Sequence, residues 1–152
     1  MIDQPPILKL LSNNELLLHG LYRVYAEKFL EFHDFWIKIS QEEVDHANWI
    51  EQLSDQSSDG SLFINVHRFH SEAIKLFSDH IKIETEKALS GNVSAQEAIG
   101  IALDMEKALI EHKFFEVFQA DGSPLKELLD RLAASTNSHI IRLQELLTKI
   151  NA

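Results

Sequence analysis

Apolar residues recur along this chain at steps of three and four, which is the spacing of one face of an α-helix. The clearest series lies near the C-terminus, at Leu125, Leu129, Leu132, Thr136, His139, Leu143, Leu146 and Ile150. Residues that break helices are rare, since the chain has only 3 prolines and 5 glycines. Alternation of β-branched residues, which is typical of strands, is almost absent. The pattern therefore predicts an all-α protein.

Start and stop signals divide this pattern into five helical segments. They cover about residues 13–30, 34–53, 62–89, 94–119 and 123–149. The first two segments form one predicted hairpin (about 12–53) and the last two another (about 94–150), with a crossover of about 54–93 between them. Two helical hairpins with a long connection predict a four-helix bundle with one crossover.

Three of the helix starts depend on side-chain signals. Residues 12–15 (SNNE) and 94–97 (SAQE) are capping boxes, in which a serine and a glutamate bond each other's free backbone amides. Ser123 followed by Pro124 is the third start, because proline is tolerated at the first helical position. Gly100 lies inside a predicted helix at a cost of roughly 1 kcal/mol, and the close approach of another helix would explain it.

Composition and charge exclude several classes of function. The chain has no cysteine, which excludes a disulfide scaffold, a cysteine zinc site, an iron–sulfur cluster and a thiol nucleophile. A formal net charge of -10 argues against nucleic-acid binding. No apolar run approaches the roughly 18 residues of a membrane span, and the N-terminus lacks the basic region of a signal peptide. We therefore expect a single cytoplasmic domain over residues 1–152 that binds neither nucleic acid nor membrane.

Acidic and histidine side chains interrupt the core-facing seams of the predicted bundle helices. They are Glu15 in the first helix, Glu43 and His46 in the second, Glu106 in the next bundle helix and His139 in the last. Burying an unpaired carboxylate costs several kcal/mol, so these positions need compensation. Divalent cations supply it, and carboxylate with imidazole suits iron, manganese or zinc. These five residues are therefore the candidate metal ligands.

The two halves of the chain look like copies of one helical hairpin. Superposing them places Glu15 on Glu106 and His46 on His139. Each half thus offers a carboxylate and then a histidine on the following helix. The first half also has a glutamate three residues before its histidine, where the second half has Thr136.

This arrangement resembles the ferritin-like proteins with a carboxylate-bridged di-iron site, especially the rubrerythrin-like branch. The resemblance covers most of the chain and is carried by Glu15 before Tyr22, by FW at 35–36 leading into EEVDHA at 42–47, and by LDMEK at 103–107. It implies a ferritin-like four-helix bundle with a long helical crossover between the second and third bundle helices. It also implies that five of six ligand positions are filled, by Glu15, Glu43, His46, Glu106 and His139, with Thr136 in place of the second bridging carboxylate.

The function implied by the resemblance is oxidoreductase chemistry on O2 or peroxide at iron. The site would be di-iron, or asymmetric or mono-metal, with manganese or zinc as alternatives to iron. Because the chain has no cysteine, the rubredoxin-type iron module is missing, and a separate protein would donate the electrons. A metal-free bundle that serves as an interaction or assembly module stays open, as do a ferritin-style iron store and a homodimer.

Several of these residues also have a purely structural interpretation, whereas Glu106 lies in the middle of a helix between apolar neighbours and has no capping role. Glu15 is the last residue of the first capping box, and residues 40–43 would cap a second helix that began later. His139 would be a core histidine bonded to a polar neighbour on its own helix. Tyr22 is either a core aromatic or a hydroxyl donor to a ligand carboxylate.

Overall fold

The computed structural model describes residues 4–57, 62–64, 71–111, 118–120 and 123–151. This part of the chain forms five α-helices, which are α1 (Gln4–Lys28), α2 (His33–Ser57), α3 (Ser71–Leu89), α4 (Ala95–Glu111) and α5 (Ser123–Asn151). A 3-10 turn, Leu30–Phe32, joins α1 to α2, and two strands of three residues, β1 (Leu62–Ile64) and β2 (Phe118–Ala120), form a small ribbon. The all-α prediction is confirmed, apart from this ribbon.

Helix α1 begins well before the predicted start. It starts at Gln4, and its two prolines stand in the first turn, where proline removes no helical hydrogen bond. The predicted capping box at residues 12–15 is therefore wrong, and Glu15 is an interior helical residue. Helix α2 likewise starts at His33, so residues 40–43 cap nothing. Local capping signals were outweighed here by a buried apolar face that continues through them.

The boundary between α3 and α4 agrees with the prediction. Gly91 has a φ of 88°, and the amides of Gly91 and Asn92 donate to carbonyls of the last turn of α3. This pair of bonds is a Schellman motif, which favours glycine at the left-handed position. The next capping box is confirmed, because Ser94 Oγ accepts from the Glu97 amide at 3.1 Å and the Glu97 carboxylate accepts from the Ser94 amide at 3.3 Å.

Two predicted helix lengths are wrong, because the β-ribbon stands where helix was expected. Strands β1 and β2 pair antiparallel, with Leu62 opposite Ala120 and Ile64 opposite Phe118. Within the described residues, the helix of the crossover is α3, with 19 residues, and α4 ends at Glu111. Residues 65–70 and 112–117, also predicted as helix, lie outside the described residues. The strands are far apart in sequence, so their pairing is a tertiary contact that local periodicity does not predict.

The helices pack in a connected series around a shared apolar core. Helix α1 contacts α2 and α3, and α5 contacts α4 and α2. Fully buried core side chains come from all five helices and include Leu18, Tyr22, Tyr25, Trp36, Ile39, Ile74, Ile81, Ile99, Leu132 and Leu143. Burying each large apolar side chain contributes roughly 1.5–3 kcal/mol, and this contribution holds the helices together. Within the described part of the chain, no helix is long and apolar enough to cross a membrane.

Replacing Ser94 by alanine should lower the free energy of unfolding by about 1 kcal/mol, because the Glu97 amide loses its acceptor. Ser12→Ala is the matched comparison. Ser12 lies inside α1 and makes only a 3.5 Å contact with the Ala47 carbonyl, so we expect a loss of about 0.5 kcal/mol or less. Urea denaturation measures both values. Equal losses would mean that Ser12 does cap a helix.

Replacing Gly100 by alanine should raise the free energy of unfolding by about 0.5–1 kcal/mol. A Cβ at this position of α4 would meet no described atom within 4 Å, so the expected close approach of another helix is not found. Gly91→Ala is the opposite control, because its φ of 88° is unfavourable for alanine, and it should destabilise the protein. A loss of stability on Gly100→Ala would contradict the packing around α4.

Candidate metal centre

A cluster of polar side chains lies inside the apolar core, where four helices meet. Helix α1 contributes Glu15, α2 contributes Glu43 and His46, α4 contributes Glu106 and α5 contributes His139. Each of these residues is at most 1% exposed. The structure therefore brings together all five residues that the sequence pattern singled out.

Glu43 lies at the middle of this cluster. Its Oε1 is 2.8 Å from His139 Nδ1 and 3.7 Å from His46 Nδ1. Glu15 Oε2 lies 3.7 Å from His46 Nδ1, and Glu106 Oε1 lies 3.1 Å from His139 Nδ1. One ligand atom from each of Glu43, His46 and His139 falls within 4.8 Å of the others. These three residues form a buried group that can hold a metal ion.

The two imidazole rings are oriented alike. They stack with centroids 5.2 Å apart, and each turns its Nδ1 toward the carboxylates. Each Nε2 has a separate partner, Ser135 Oγ at 2.7 Å for His46 and Glu42 Oε1 at 3.0 Å for His139. A histidine that binds a metal through one nitrogen is usually held by a hydrogen bond at the other. The orientation of both rings fits that arrangement.

Several ligand-type atoms in the cluster have no hydrogen-bond partner among the described residues. They are Glu15 Oε2, Glu43 Oε2, His46 Nδ1 and Glu106 Oε2. Leaving one buried polar atom unpaired costs about 1–3 kcal/mol, and more for a charged group. Carboxylate oxygens and imidazole nitrogens are also the atoms that bind divalent transition metals. A cation in this cluster would satisfy them together.

Burial and mutual charge shift the pKa values in the cluster. Burial, with the neighbouring Glu106 and Glu15, raises the pKa of Glu43 well above its usual range. Burial also disfavours the charged form of His139, but its contacts with Glu106, Glu42 and Glu43 outweigh this and raise its pKa to about 12. Without a metal, His139 is therefore charged and balances part of the carboxylate charge.

Tyr22 extends the cluster toward the aromatic core. Its hydroxyl donates to Glu106 Oε1 at 2.9 Å, and its ring contacts that of Trp36 at 5.5 Å between centroids. Burial and the negative charge of Glu106 raise the pKa of Tyr22 well above its usual value, so it stays a neutral donor. Both interpretations of Tyr22 are confirmed, because its ring is buried in the core and its hydroxyl bonds a candidate ligand.

Thr136 does not take part in the cluster through its hydroxyl. The hydroxyl is buried and donates to the Leu132 carbonyl of its own helix at 2.9 Å. The structural interpretation of His139 as bonded to a neighbour on its own helix is wrong, because its hydrogen bonds go to Glu106 and Glu42.

The sequence pattern missed Glu42 and Arg142. Arg142 bonds both carboxylate oxygens of Glu42, with Nη1 to Oε2 at 3.2 Å and a closer contact from Nη2 to Oε1. Bonding to His139 and Arg142 lowers the pKa of Glu42 to about 2. Glu42 is about 100° around the helix from Glu43, off the core-facing seam, and its long side chain reaches in from the edge. The only sequence signal for the contact between Glu42 and Arg142 is the position of Arg142, three residues after His139.

Comparison with known proteins assigns this chain to no family. No protein-family model matches its sequence, and neither curated proteins nor solved structures give a significant match. The function therefore has to be argued from the buried cluster, and the resemblance to ferritin-like proteins stays a prediction from the sequence.

The stability of the metal-free protein should be highest in weakly acidic solution. Glu15 and Glu42 have lowered pKa values, so their stabilising contribution is complete above pH 4.5 and is lost as the pH falls. Glu43 and His139 have raised pKa values, so their contribution is complete below pH 4.5 and 6.5 respectively and is lost as the pH rises. In chelator, the melting temperature should peak between about pH 4.5 and 5 and fall by roughly 5 °C or more toward pH 9.

Two variants separate the pH dependence of the cluster from the titration of ordinary surface groups. Glu43→Gln removes the carboxyl group whose pKa is raised, so its melting temperature should fall less steeply above pH 6. Glu51→Gln changes an exposed residue of the same helix and should leave the slope unchanged. A melting temperature that rises between pH 6 and 9 would contradict the charged state of His139.

Proposed function

We propose that this protein is an iron-binding protein of the ferritin-like, rubrerythrin-like type, with its metal held between α1, α2, α4 and α5. One observation carries the proposal. Three carboxylates and two imidazoles from four helices meet in the buried core, and four of their ligand-type atoms lack hydrogen-bond partners among the described residues. This donor set suits iron, and also manganese or zinc.

The packing of the helices supports a four-helix bundle with a crossover. Helices α1 and α2 form one hairpin, joined by the 3-10 turn, and α4 packs against α5 as the second pair. Contacts between α2 and α5 bring the two pairs together. Helix α3 comes between the pairs in sequence and packs on α1. It therefore corresponds to the crossover of the proposed topology.

The proposed site has two halves that share Glu43. On one side Glu15 and His46 lie together, and on the other Glu106 and His139 lie together. Glu43 approaches the Nδ1 of both histidines, as a carboxylate between two metal positions would. No second carboxylate mirrors Glu43, because Thr136 stands at the corresponding position, three residues before His139. The Thr136 hydroxyl bonds its own helix. This favours an asymmetric or mono-metal site over a symmetric di-iron site.

Iron bound here would supply one-electron redox chemistry toward O2 or peroxide. The chain's own part is to bind, orient and exclude water. Tyr22 orients Glu106 through its hydrogen bond, and the complete burial of all five ligand candidates keeps bulk water out. Burial and the neighbouring carboxylates raise the pKa of Glu43, and a metal ion binds the ionised carboxylate, so metal binding here would favour loss of a proton. A separate donor protein would supply electrons, since the chain has no cysteine.

A metal-free interaction or assembly module is the second candidate function. It is favoured by charged His139, which lies against Glu43 and Glu106 and compensates their charge without a metal. The compensation is incomplete, however. Glu43 Oε2 and His46 Nδ1 have no hydrogen-bond partner among the described residues. These unpaired atoms favour the metal-bound form.

Adding Fe2+ anaerobically to the metal-free protein should raise its melting temperature. A free metal concentration of about 100 times Kd stabilises a folded protein by about 2.7 kcal/mol, or roughly 5–10 °C for a domain of this size. Zn2+ and Mn2+ should act in the same direction. Protein from iron-supplemented cells should contain metal by elemental analysis, and Glu43→Ala and His46→Ala should reduce it below about 0.2 per chain.

Glu84→Gln is the matched control for these variants. Glu84 is a buried carboxylate on α3 that lies outside the cluster, so the variant should keep its metal. Metal-free wild-type protein whose melting temperature responds to none of the three cations would contradict the proposed function and support the metal-free module.

A further inference from the structure

The outer nitrogens of the two cluster histidines are held by chemically different partners. His46 Nε2 meets the Ser135 hydroxyl, which both donates and accepts hydrogen bonds. His139 Nε2 meets the Glu42 carboxylate, which only accepts when it is ionised. The Glu42 carboxylate therefore requires a hydrogen on His139 Nε2. When the ring is neutral, its lone pair is then on Nδ1. That nitrogen faces the cluster.

Arg142 holds the Glu42 carboxylate in place. Its two terminal nitrogens each bond one carboxylate oxygen, and this paired geometry restricts the orientation of the carboxylate plane. Glu42 and Arg142 each have 27% of the side chain exposed, whereas His139 is fully buried. The pair therefore lies at the edge of the cluster, between His139 and solvent.

His139 lacks the carboxylate support that His46 has on its own helix. Glu43 stands three residues before His46 and lies 3.7 Å from its ring. The corresponding residue before His139 is Thr136, whose hydroxyl bonds its own backbone. Glu42 belongs to α2, so its contact with His139 crosses between helices. It supplies a carboxylate partner that α5 does not provide.

We propose that Glu42, held by Arg142, is a positioning residue that makes Nδ1 of His139 a metal-binding nitrogen. The inference rests on the proposed function and adds a part to it. Glu42 contacts the ring on the side away from the cluster, so it acts through His139 and is not itself a ligand. A carboxylate at the outer nitrogen fixes the tautomer and makes the ring a stronger ligand.

Co2+ binding to the metal-free protein tests this role, because the visible bands of Co2+ report its ligands as well as its affinity. Glu42→Ala should weaken Co2+ binding by about 10–100-fold and change the spectrum. Glu42→Gln should recover part of the loss, because its amide oxygen still accepts the Nε2 hydrogen while the charge is gone. We expect its affinity to be about 10-fold below that of the wild-type protein.

Three controls accompany these variants. Glu51→Gln removes an exposed acidic charge from the same helix and should bind Co2+ as the wild type does. Ser135→Ala removes the neutral partner of His46 and should lose less affinity than Glu42→Ala. Circular dichroism and the melting temperature of each metal-free variant show whether it is folded. If Glu42→Ala does not fold, the affinity and spectrum of Glu42→Gln decide the test.

The outcomes separate this inference from the proposed function. Wild-type affinity and spectrum in the folded Glu42 variants would overturn the positioning role and leave the metal site intact. An equal loss in Glu51→Gln would be a general effect of charge and would also overturn it. If the wild-type protein itself binds no Co2+, the proposed function fails, and this inference fails with it.

Discussion

The structure depends on how the charge of three carboxylates is balanced where water is excluded. Glu15, Glu43 and Glu106 lie in the core, each at most 1% exposed, and an uncompensated carboxylate there would cost several kcal/mol. Proteins have few ways to meet this cost, namely a proton, a cationic side chain or a metal ion. At this cluster each of the three would act through the same carboxylate oxygens and imidazole nitrogens, so the packing of four helices depends on how that charge is balanced.

Without a metal, proton and side chain share the compensation. The raised pKa of Glu43 favours its protonated form, and the pKa of His139, raised to about 12, favours a positive charge between its acidic neighbours. Metal binding needs the opposite state, with a bare carboxylate and a free imidazole lone pair. The two states exclude each other, so metal binding at the proposed site would release protons.

The candidate site was more predictable than the helix boundaries. A helical seam with period near 3.6 has to face the core, so a glutamate or histidine on that seam is buried whatever its exact partners are. The ends of the helices depend on competition between local and distant contacts. Residues 12–15 have the form of a capping box but lie inside α1, whereas residues 94–97 have the same form and do cap α4. The second box follows the helix stop at Gly91, whereas no stop signal stands directly before residues 12–15.

The sequence by itself determined the all-α class, the end of α3 at Gly91, and the placing of Glu15, Glu43, His46, Glu106 and His139 on inward faces, because periodicity and capping are local properties. Only the tertiary structure decided which of these atoms meet. It also decided that β1 pairs with β2 and that Glu42 reaches His139 from another helix. Those contacts join residues that are distant in the chain, and their geometry follows from the relative position of the helices. The pattern of a single sequence does not predict that relative position.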